Sequence, residues 1–372
     1  MEKEIVPPEL VKSGKPIIGW FCTYLPEEIL LAAGLLPYRI MESSPRTSQA
    51  RACLSGQLCA YVMSSLEAAL EGKYNFLDGL VITNCCDGMR RLYDAWRHFI
   101  KGPAFIHILD IPKKADKESI EYIRQCLVWL KEAIEAHYKI KLTEQALKEA
   151  INITNQTRCL LSQLYELRKE NNPPINATEI SSIMRAAMTQ PKEEFNKRLS
   201  SLLLEIKNRM LESKFSDTHK IRILITGGFI DQSEIVRLIE GLGANVVCED
   251  LCTGIRYFEG LVDINLEPLS ALSKRYLNRP PCARMIDTDK RFDYLWNLIE
   301  EYRIEGVIYY TLKFCDTNLF EFPYLRERLR EKGVSILFLE SDGSASYSGQ
   351  MRTRIEAFLE SLMMRKEKEV TR

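Results

Sequence analysis

The stretch that decides the fold is Leu80–Asp94, "LVITNCCDGMRRLYD", in which an apolar run ends abruptly in two cysteines and an aspartate. A short apolar run bounded by polar residues is typical of a buried strand, and the residues after it predict a helix. A second stretch, Val307–Phe320, "VIYYTLKFCDTNLF", has the same form, because its apolar run also ends in Cys-Asp. The two stretches predict two related strand–turn–helix units, each with a thiol at the carboxyl end of a strand.

Strands alternate with helices in the first and the last third of the chain, which is the pattern of a parallel sheet covered by helices. The predicted strands are Pro16–Cys22, Phe76–Asn84 and Ala104–Pro112 in the first third, and Ile221–Gly228, Ala244–Cys252, Gly306–Leu312 and Val334–Glu340 in the last. We therefore predict an α/β fold with two similar doubly wound parallel-sheet domains, related as an internal repeat.

The middle of the chain is different, because the helical period dominates from about Asp116 to Thr218. The sequence "NATE" at Asn176–Glu179 predicts a capping box that starts a helix. We expect three parts: an N-terminal α/β domain at 1–112, a helical linker or layer at 113–220, and a C-terminal α/β domain at 221–372.

Composition excludes several classes of function. The chain has 372 residues, with 51 Lys and Arg against 51 Asp and Glu, so no basic excess indicates a nucleic acid or an anionic membrane as partner. Pro26, Glu27 and Glu28 interrupt the longest apolar stretch, which argues against a membrane span. The charged N-terminal sequence does not have the form of a signal peptide, so we expect a cytoplasmic protein.

Eleven cysteines are many for a protein expected in the cytoplasm, where disulfides are disfavoured and thiols bind metal or carry redox chemistry. The four histidines show no metal-ligand spacing, and the chain contains neither CxxC nor HExxH, so a zinc site is not indicated. Six cysteines occur in similar places in the two α/β parts: Cys22, Cys59 and Cys86 in the first, and Cys252, Cys282 and Cys315 in the last.

Thiols at the ends of parallel strands meet at one edge of a sheet, so Cys22, Cys86 and Cys315 are expected to converge on a crevice. Soft thiolates without histidine favour an iron–sulfur cluster over a hard metal ion. The remaining cysteines are interpreted as packing residues or spares: Cys53, Cys85, Cys126, Cys159 and Cys248. Cys85 in particular is expected to point away from the site.

Four segments carry a resemblance to a known superfamily: "IGWFCTYLPEEILLAAGLLPYRI" at 18–40, "QLCAYVMSSLE" at 57–67, "LVITNCCDGMRRLYD" at 80–94 and "SGQMRTRIEAFLE" at 348–360. The chain resembles the 2-hydroxyacyl-CoA dehydratases and ATP-dependent benzoyl-CoA reductases over nearly its whole length. In the dehydratase subunits three cysteines hold one [4Fe-4S] cluster, and the matching positions are Cys59, Cys86 and Cys315.

Three further patterned cysteines, Cys22, Cys252 and Cys282, make the chain most similar to the double-cubane branch of that superfamily. The resemblance implies an [8Fe-9S] cluster on all six cysteines, in which two cubanes share a bridging sulfide. It also implies a homodimer that receives low-potential electrons from an ATP-hydrolysing activator, itself a homodimeric [4Fe-4S] protein, and that reduces a small molecule. The chain itself has no GxxxxGK[ST] phosphate loop.

Two alternatives stay open at the level of the sequence. The chain could be a [4Fe-4S] subunit of a 2-hydroxyacyl-CoA dehydratase or a benzoyl-CoA-type reductase, or it could be a non-enzymatic electron carrier. Arg90 and Arg91 are candidate contacts for the activator, or else the solvated start of a helix. Four acidic residues are candidate proton donors that the sequence does not rank: Asp87, Glu249, Asp316 and Glu340.

Overall fold

A computed structural model describes residues 14–41, 47–54, 56–212, 220–229, 233–343 and 348–370. Two predicted features lie outside the described residues. They are the N-terminal sequence, where no signal peptide is expected, and the last residues of the helical segment up to Thr218. Within the described ranges, no helix combines the length and the apolar character needed to cross a bilayer.

The first sheet has four parallel strands in the order β2-β1-β3-β4. The strands are β1 (Ile17–Trp20), β2 (Leu36–Arg39), β3 (Gly79–Asn84) and β4 (Phe105–Asp110). The helices of this part are α1 (Glu27–Ala32), α2 (Ser48–Cys53), α3 (Ala60–Leu70) and α4 (Asp87–Phe99). β2 is absent from the strands predicted above because it contains Pro37, which an edge strand tolerates since one side needs no N–H donor.

The second sheet repeats this arrangement, with four parallel strands in the order β6-β5-β7-β8. The strands are β5 (Arg222–Gly227), β6 (Asn245–Asp250), β7 (Gly306–Leu312) and β8 (Ile336–Ser341). The helices are α9 (Ser233–Gly241), α10 (Ile255–Phe258), α11 (Pro268–Asn278), α12 (Thr288–Glu301), α13 (Asp316–Glu331) and α14 (Ser348–Val370). We number the helices of the middle segment α5 to α8, as given below. The predicted pair of similar doubly wound parallel sheets is confirmed.

The middle segment is helical, as its period indicated. It contains α5 (Lys117–Tyr138), α6 (Glu144–Glu166), a single 3-10 turn at Leu167–Lys169, α7 (Ala177–Thr189) and α8 (Lys192–Glu212). The predicted capping box is present at the start of α7, where the Asn176 side chain accepts from the Glu179 amide and the Glu179 carboxylate accepts from the Asn176 amide. The boundaries proposed at 112/113 and 220/221 stay predictions.

Buried ion pairs join the helical segment to both sheet regions. Glu28 in α1 pairs with Arg158 of α6 at 2.5 Å, and the carboxylate of Glu28 also accepts from the Tyr276 hydroxyl at 2.9 Å. A second pair joins Glu249 of β6 to Arg168 at 2.5 Å, with both side chains fully buried. Because losing one partner leaves a buried charge uncompensated, these pairs hold the helices in one position over the sheets.

Candidate metal centre

Three of the predicted ligands occupy equivalent positions at the starts of helices. Cys59, Cys86 and Cys315 are the N-cap residues of α3, α4 and α13, so each sulfur lies beside the first-turn N–H groups of a helix. We call these three the helix-cap thiols. Helix N-termini carry a partial positive charge and unpaired amide donors, which favour an anionic sulfur.

The helix-cap thiols are close enough to influence one another's ionisation. Burial raises the pKa of the Cys59 thiol, and the neighbouring charges of Cys315 and Cys86 raise it further. Burial also raises the pKa of Cys315, against the opposing effect of Asn318, whose Nδ2 donates to the Cys315 sulfur at 3.0 Å. The structure therefore brings together two thiols from the first half of the chain and one from the second.

The other three predicted ligands, which we call the arginine-side thiols, lie in loops. Cys22 follows β1, Cys252 follows β6, and Cys282 lies between α11 and α12. Arg39, the last residue of β2, donates through Nη2 to the Cys252 sulfur at 2.9 Å and through Nη1 to the Cys252 carbonyl oxygen at 2.5 Å. This contact joins the edge strand of the first sheet to the edge strand of the second.

Tyr24 and two arginines complete the arginine side. The Cys282 sulfur donates to the Tyr24 hydroxyl at 3.8 Å. The guanidiniums of Arg279 and Arg284 lie over the Tyr24 ring, at 4.8 and 5.0 Å from its centroid. Arg279 donates to the carbonyl oxygens of Thr23 and Arg256, and Arg284 donates to backbone carbonyls that include Cys85, at 3.2 Å.

Arg39, Arg279 and Arg284 are all buried, and among the described residues none of them has a carboxylate partner. The Nε–H groups of Arg39 and Arg279 are also buried without an acceptor in that part of the chain. A buried unpaired guanidinium is costly, as Arg275 illustrates: burial and the charge of Arg158 lower its pKa to about 9. Three buried cations beside three thiols therefore indicate a site built to hold negative charge.

Arg39 shows the effect of a thiolate partner. Burial lowers the pKa of an arginine, but the charge and the hydrogen bond of Cys252, with other nearby anionic groups, outweigh burial and raise the pKa of Arg39 above its ordinary value. None of these three arginines is among the site residues predicted from the sequence. A local signal does exist for two of them, because Arg279 and Arg284 flank Cys282 in "RPPCARM". No comparable signal marks Arg39, which lies 213 positions before Cys252 in the chain.

Cys85 lies between the two sets, which makes the expectation that it points away wrong. Its thiol is within hydrogen-bonding reach of both the Cys22 and the Cys86 sulfurs. Hydrogen bonding from Cys85, together with the first-turn amides of α4, lowers the pKa of Cys86 to about 7 against the opposing effect of burial. The expectation failed because β3 ends at Asn84, so the in–out alternation of a strand no longer governs the residue that follows.

The internal repeat is only partly reflected in the thiols. Cys86 and Cys315 follow equivalent strands, β3 and β7, as predicted. Cys22, however, follows the first strand of its sheet, whereas Cys252 follows the second strand of the other sheet. The two sets also do not correspond to the two halves of the chain, because each set combines thiols from the first and the last third.

The remaining candidates are distributed as follows. Cys126 and Cys248 are buried, as expected of packing residues, whereas Cys159 is exposed on α6 and Cys53 is half-buried.

The carboxylate of Glu249 is fully engaged by Arg168 and by the Tyr165 hydroxyl inside the protein, which makes it a structural group rather than a proton donor. Asp87 is exposed and pairs with Arg90 and Arg91.

The thiol arrangement bears on the kind of metal group that would fit. Across the described residues, no three His, Cys, Asp or Glu side chains are placed to hold a single metal ion together. In an iron–sulfur cluster each thiolate binds a different iron, so its ligands surround a volume and do not converge on one point. Soft sulfur donors, a surplus of buried cations and first-turn amides fit an anionic iron–sulfur group better than a mononuclear ion.

Comparison with known proteins agrees with this architecture. The family model described as "2-hydroxyglutaryl-CoA dehydratase, D-component" matches residues 22–362, and the chain belongs to that family. The chain is 26% identical to the (R)-phenyllactyl-CoA dehydratase beta subunit of Clostridium sporogenes, over 97% of this chain and 95% of the relative. It is 28% identical to one of the subunits of benzoyl-CoA reductase from Thauera aromatica, over 91% of this chain and 88% of the relative.

A further relative is the beta subunit of (R)-2-hydroxyglutaryl-CoA dehydratase from Acidaminococcus fermentans, with 24% identity over 94% of this chain and 93% of the relative. These relatives are dehydratase and reductase subunits, so the chain is a related catalytic component. The superfamily indicated by the sequence segments is thereby confirmed.

Proposed function

We propose that this protein is an iron–sulfur reductase that accepts low-potential electrons from an ATP-hydrolysing activator and reduces a small substrate. Its proposed cofactor is a double-cubane [8Fe-9S] cluster held by Cys22, Cys59, Cys86, Cys252, Cys282 and Cys315. The observation that carries the proposal is the presence of two sets of three thiols, with buried unpaired arginines beside one set.

The number of thiols supports two cubanes rather than one. In each cubane one iron would bind the shared sulfide, which leaves three irons that each need a thiolate. The helix-cap thiols would supply one set of three and the arginine-side thiols the other. Cys85 is additional to this count and lies between the two sets.

When bound, the cluster would supply one-electron transfer at low potential. The chain's own residues orient the thiols and balance their charge. Arg39 holds Cys252 by two donors, and Asn318 holds Cys315 by one. Buried side chains next to Cys22, such as Phe21 and Tyr24, exclude water from the arginine side.

The helix-cap side is the proposed docking side for the activator, because its surroundings are the more exposed. Phe314, next to Cys315, is 41% exposed, and Phe320 of α13 is 83% exposed. Arg90 and Arg91 are exposed on α4, which begins directly after Cys86. An Arg91→Glu variant should keep its iron but lose ATP-dependent reduction, whereas Arg330→Glu on a different exposed surface should behave as the unaltered protein.

The decisive test is iron and acid-labile sulfide per chain, measured on protein purified without oxygen, with EPR spectra before and after dithionite. The proposal predicts about eight irons and nine sulfides. It also predicts that an activator with ATP drives the reduction of a small alkyne, followed as alkene by gas chromatography. Sedimentation of the purified chain should give a homodimer. Protein without iron would contradict the proposal.

The names of the relatives favour one alternative, a [4Fe-4S] subunit of a 2-hydroxyacyl-CoA dehydratase or benzoyl-CoA-type reductase. In that case only the helix-cap thiols would bind iron. A Cys252→Ala variant separates the two functions, since half or all of the iron is lost with a double cubane and none with a single cluster. A non-enzymatic carrier would keep its cluster but show no ATP-dependent turnover with the activator.

A further inference from the structure

The two sets of thiols lie in different electrostatic surroundings. The arginine-side thiols face full positive charges on buried side chains, and the helix-cap thiols face the partial charges of helix N-termini. Interaction between charges weakens with the effective dielectric constant, so a buried guanidinium acts more strongly than one screened by water. The difference bears on where an added electron would reside.

Arg39 makes the strongest contact. Its side chain is 1% exposed, and its Nη2 donates to the Cys252 sulfur at 2.9 Å. The guanidinium also lies over the rings of Trp20 and Phe229, at 5.1 and 5.7 Å from their centroids. These rings hold the guanidinium in place and exclude water, which strengthens its charge-assisted hydrogen bond to the sulfur.

Arg279 and Arg284 add charge on the same side. Both are buried, both lie over the Tyr24 ring, and both direct their N–H groups at backbone carbonyls, which do not cancel a formal charge. Two other buried arginines are neutralised: Arg256 and Arg291 pair with Asp250, and Arg291 also pairs with Glu321. The charges of Arg39, Arg279 and Arg284 therefore stay unbalanced beside the thiols, and Arg275, also unpaired among the described residues, lies near Arg279.

The helix-cap side has no buried cation against its thiols in the part of the chain that the structure describes. The hydrogen bond to Cys315 comes from the neutral amide of Asn318. The cations on this side are exposed: Arg90 and Arg91 pair with Asp87, and Lys313 precedes Cys315, so water screens their charges. Adding an electron is less favourable in these surroundings.

We infer that Arg39, with Arg279 and Arg284, makes the Cys22–Cys252–Cys282 side of the site the more readily reduced of the two. This inference rests on the proposed double-cubane function. Reduction adds one negative charge, and a hydrogen-bonded cation stabilises that charge, so the arginine side has the higher reduction potential. An electron delivered at the exposed helix-cap side then moves inward to the arginine side. Arg39 is a positioning and tuning residue that acts through Cys252.

The test is a potentiometric titration followed by EPR, on the anaerobically purified protein and on Arg39→Lys and Arg284→Lys variants. Lysine keeps the charge but lacks the planar fork of donors, so Arg39→Lys should fold and yet hydrogen-bond the Cys252 sulfur less well. In Arg284→Lys the compact ammonium cannot span the carbonyl oxygens of Cys85, Ile111 and Pro112, so the charge should move from its position beside the thiols. The first reduction step should shift to a more negative potential in both variants, and the second should shift less. Iron and sulfide per chain should not change.

A matched variant probes the other side. Asn318→Ser weakens the donor to Cys315, so it should shift the second step and leave the first nearly unchanged. Equal shifts of both steps in Arg39→Lys, or no shift with iron retained, would overturn the inference. If Arg39→Lys loses iron, the two reduction steps of Arg284→Lys test the inference in its place. A larger shift of the first step supports the inference, and equal shifts or no shift overturn it. A single reduction step with about four irons in the unaltered protein would instead contradict the double-cubane proposal itself.

Discussion

The guanidinium of Arg39 and the sulfur of Cys252 meet at 2.9 Å, although the two residues belong to different sheets and lie far apart in the chain. Arg39 ends the edge strand β2, and Cys252 follows the edge strand β6. The contact shows that the thiol site is assembled at the junction of the two α/β regions. Neither region contains a complete set of three thiols by itself.

Cys85 and Cys86 provide a comparison of adjacent thiols. We expect Cys85→Ser to keep the iron and sulfide content of the unaltered protein, because Cys85 hydrogen-bonds to Cys22 and Cys86 and is additional to the six proposed ligands. Cys86→Ser should lose iron, because an alcohol is a poor ligand for a soft metal. The measurement is iron and acid-labile sulfide per chain. Loss of iron in Cys85→Ser would make Cys85 a ligand.

Removal of one partner of the buried pair of Glu28 and Arg158 should strongly destabilise the fold. Glu28→Gln leaves the guanidinium of Arg158 buried without its counter-charge, and we expect a loss of about 3–5 kcal/mol in the free energy of unfolding. The control is Glu144→Gln, which removes the exposed pair with Lys148 and should change stability by less than about 0.5 kcal/mol. Urea unfolding followed by circular dichroism measures both, and equal effects would contradict the prediction.

His107 on β4 should make stability depend on pH near neutrality. Burial lowers the pKa of His107 in the folded protein, so at pH values near its ordinary pKa the unfolded chain binds more protons than the folded one. Stability should therefore rise with pH, and its loss should begin as the pH falls through the ordinary histidine pKa of about 6.5. Urea unfolding between about pH 8 and 5.5 should show a flatter dependence for His107→Gln. If the stability of His107→Gln and that of the unaltered protein depend on pH in the same way, His107 does not have this role.

Gly227 at the end of β5 should not tolerate a side chain. Its φ of +123° is rare for other residues, and an added Cβ would lie 2.0 Å from the Tyr310 carbonyl oxygen of β7. Gly227→Ala should therefore lower the free energy of unfolding by about 1–3 kcal/mol through backbone strain alone, and the clash with Tyr310 should add to this loss. Gly241→Ala, at the end of α9 with open space around its Cβ, should be neutral or stabilising by about 0.4–1 kcal/mol. Thermal unfolding of the two variants gives the comparison.

Most of the fold could be predicted from local patterns. The strand in Gly306–Leu312 and the capping box at Asn176 were predicted at the residues where the structure has them, because hydrophobic period and cap residues act over a few positions. The edge strand β2 was missed, because Pro37 is a local signal against a strand and only its position at the sheet edge makes it tolerable.

The thiols show the same division between local and tertiary causes. The sequence by itself determined that Cys86 and Cys315 follow strands and precede helices, since an apolar run followed by Cys-Asp is a local feature. Only the tertiary structure decided which thiols lie together, that Cys85 lies between Cys22 and Cys86, and that buried arginines face one set. These contacts depend on how two separately patterned sheets pack, and no local period encodes the distance between Arg39 and Cys252.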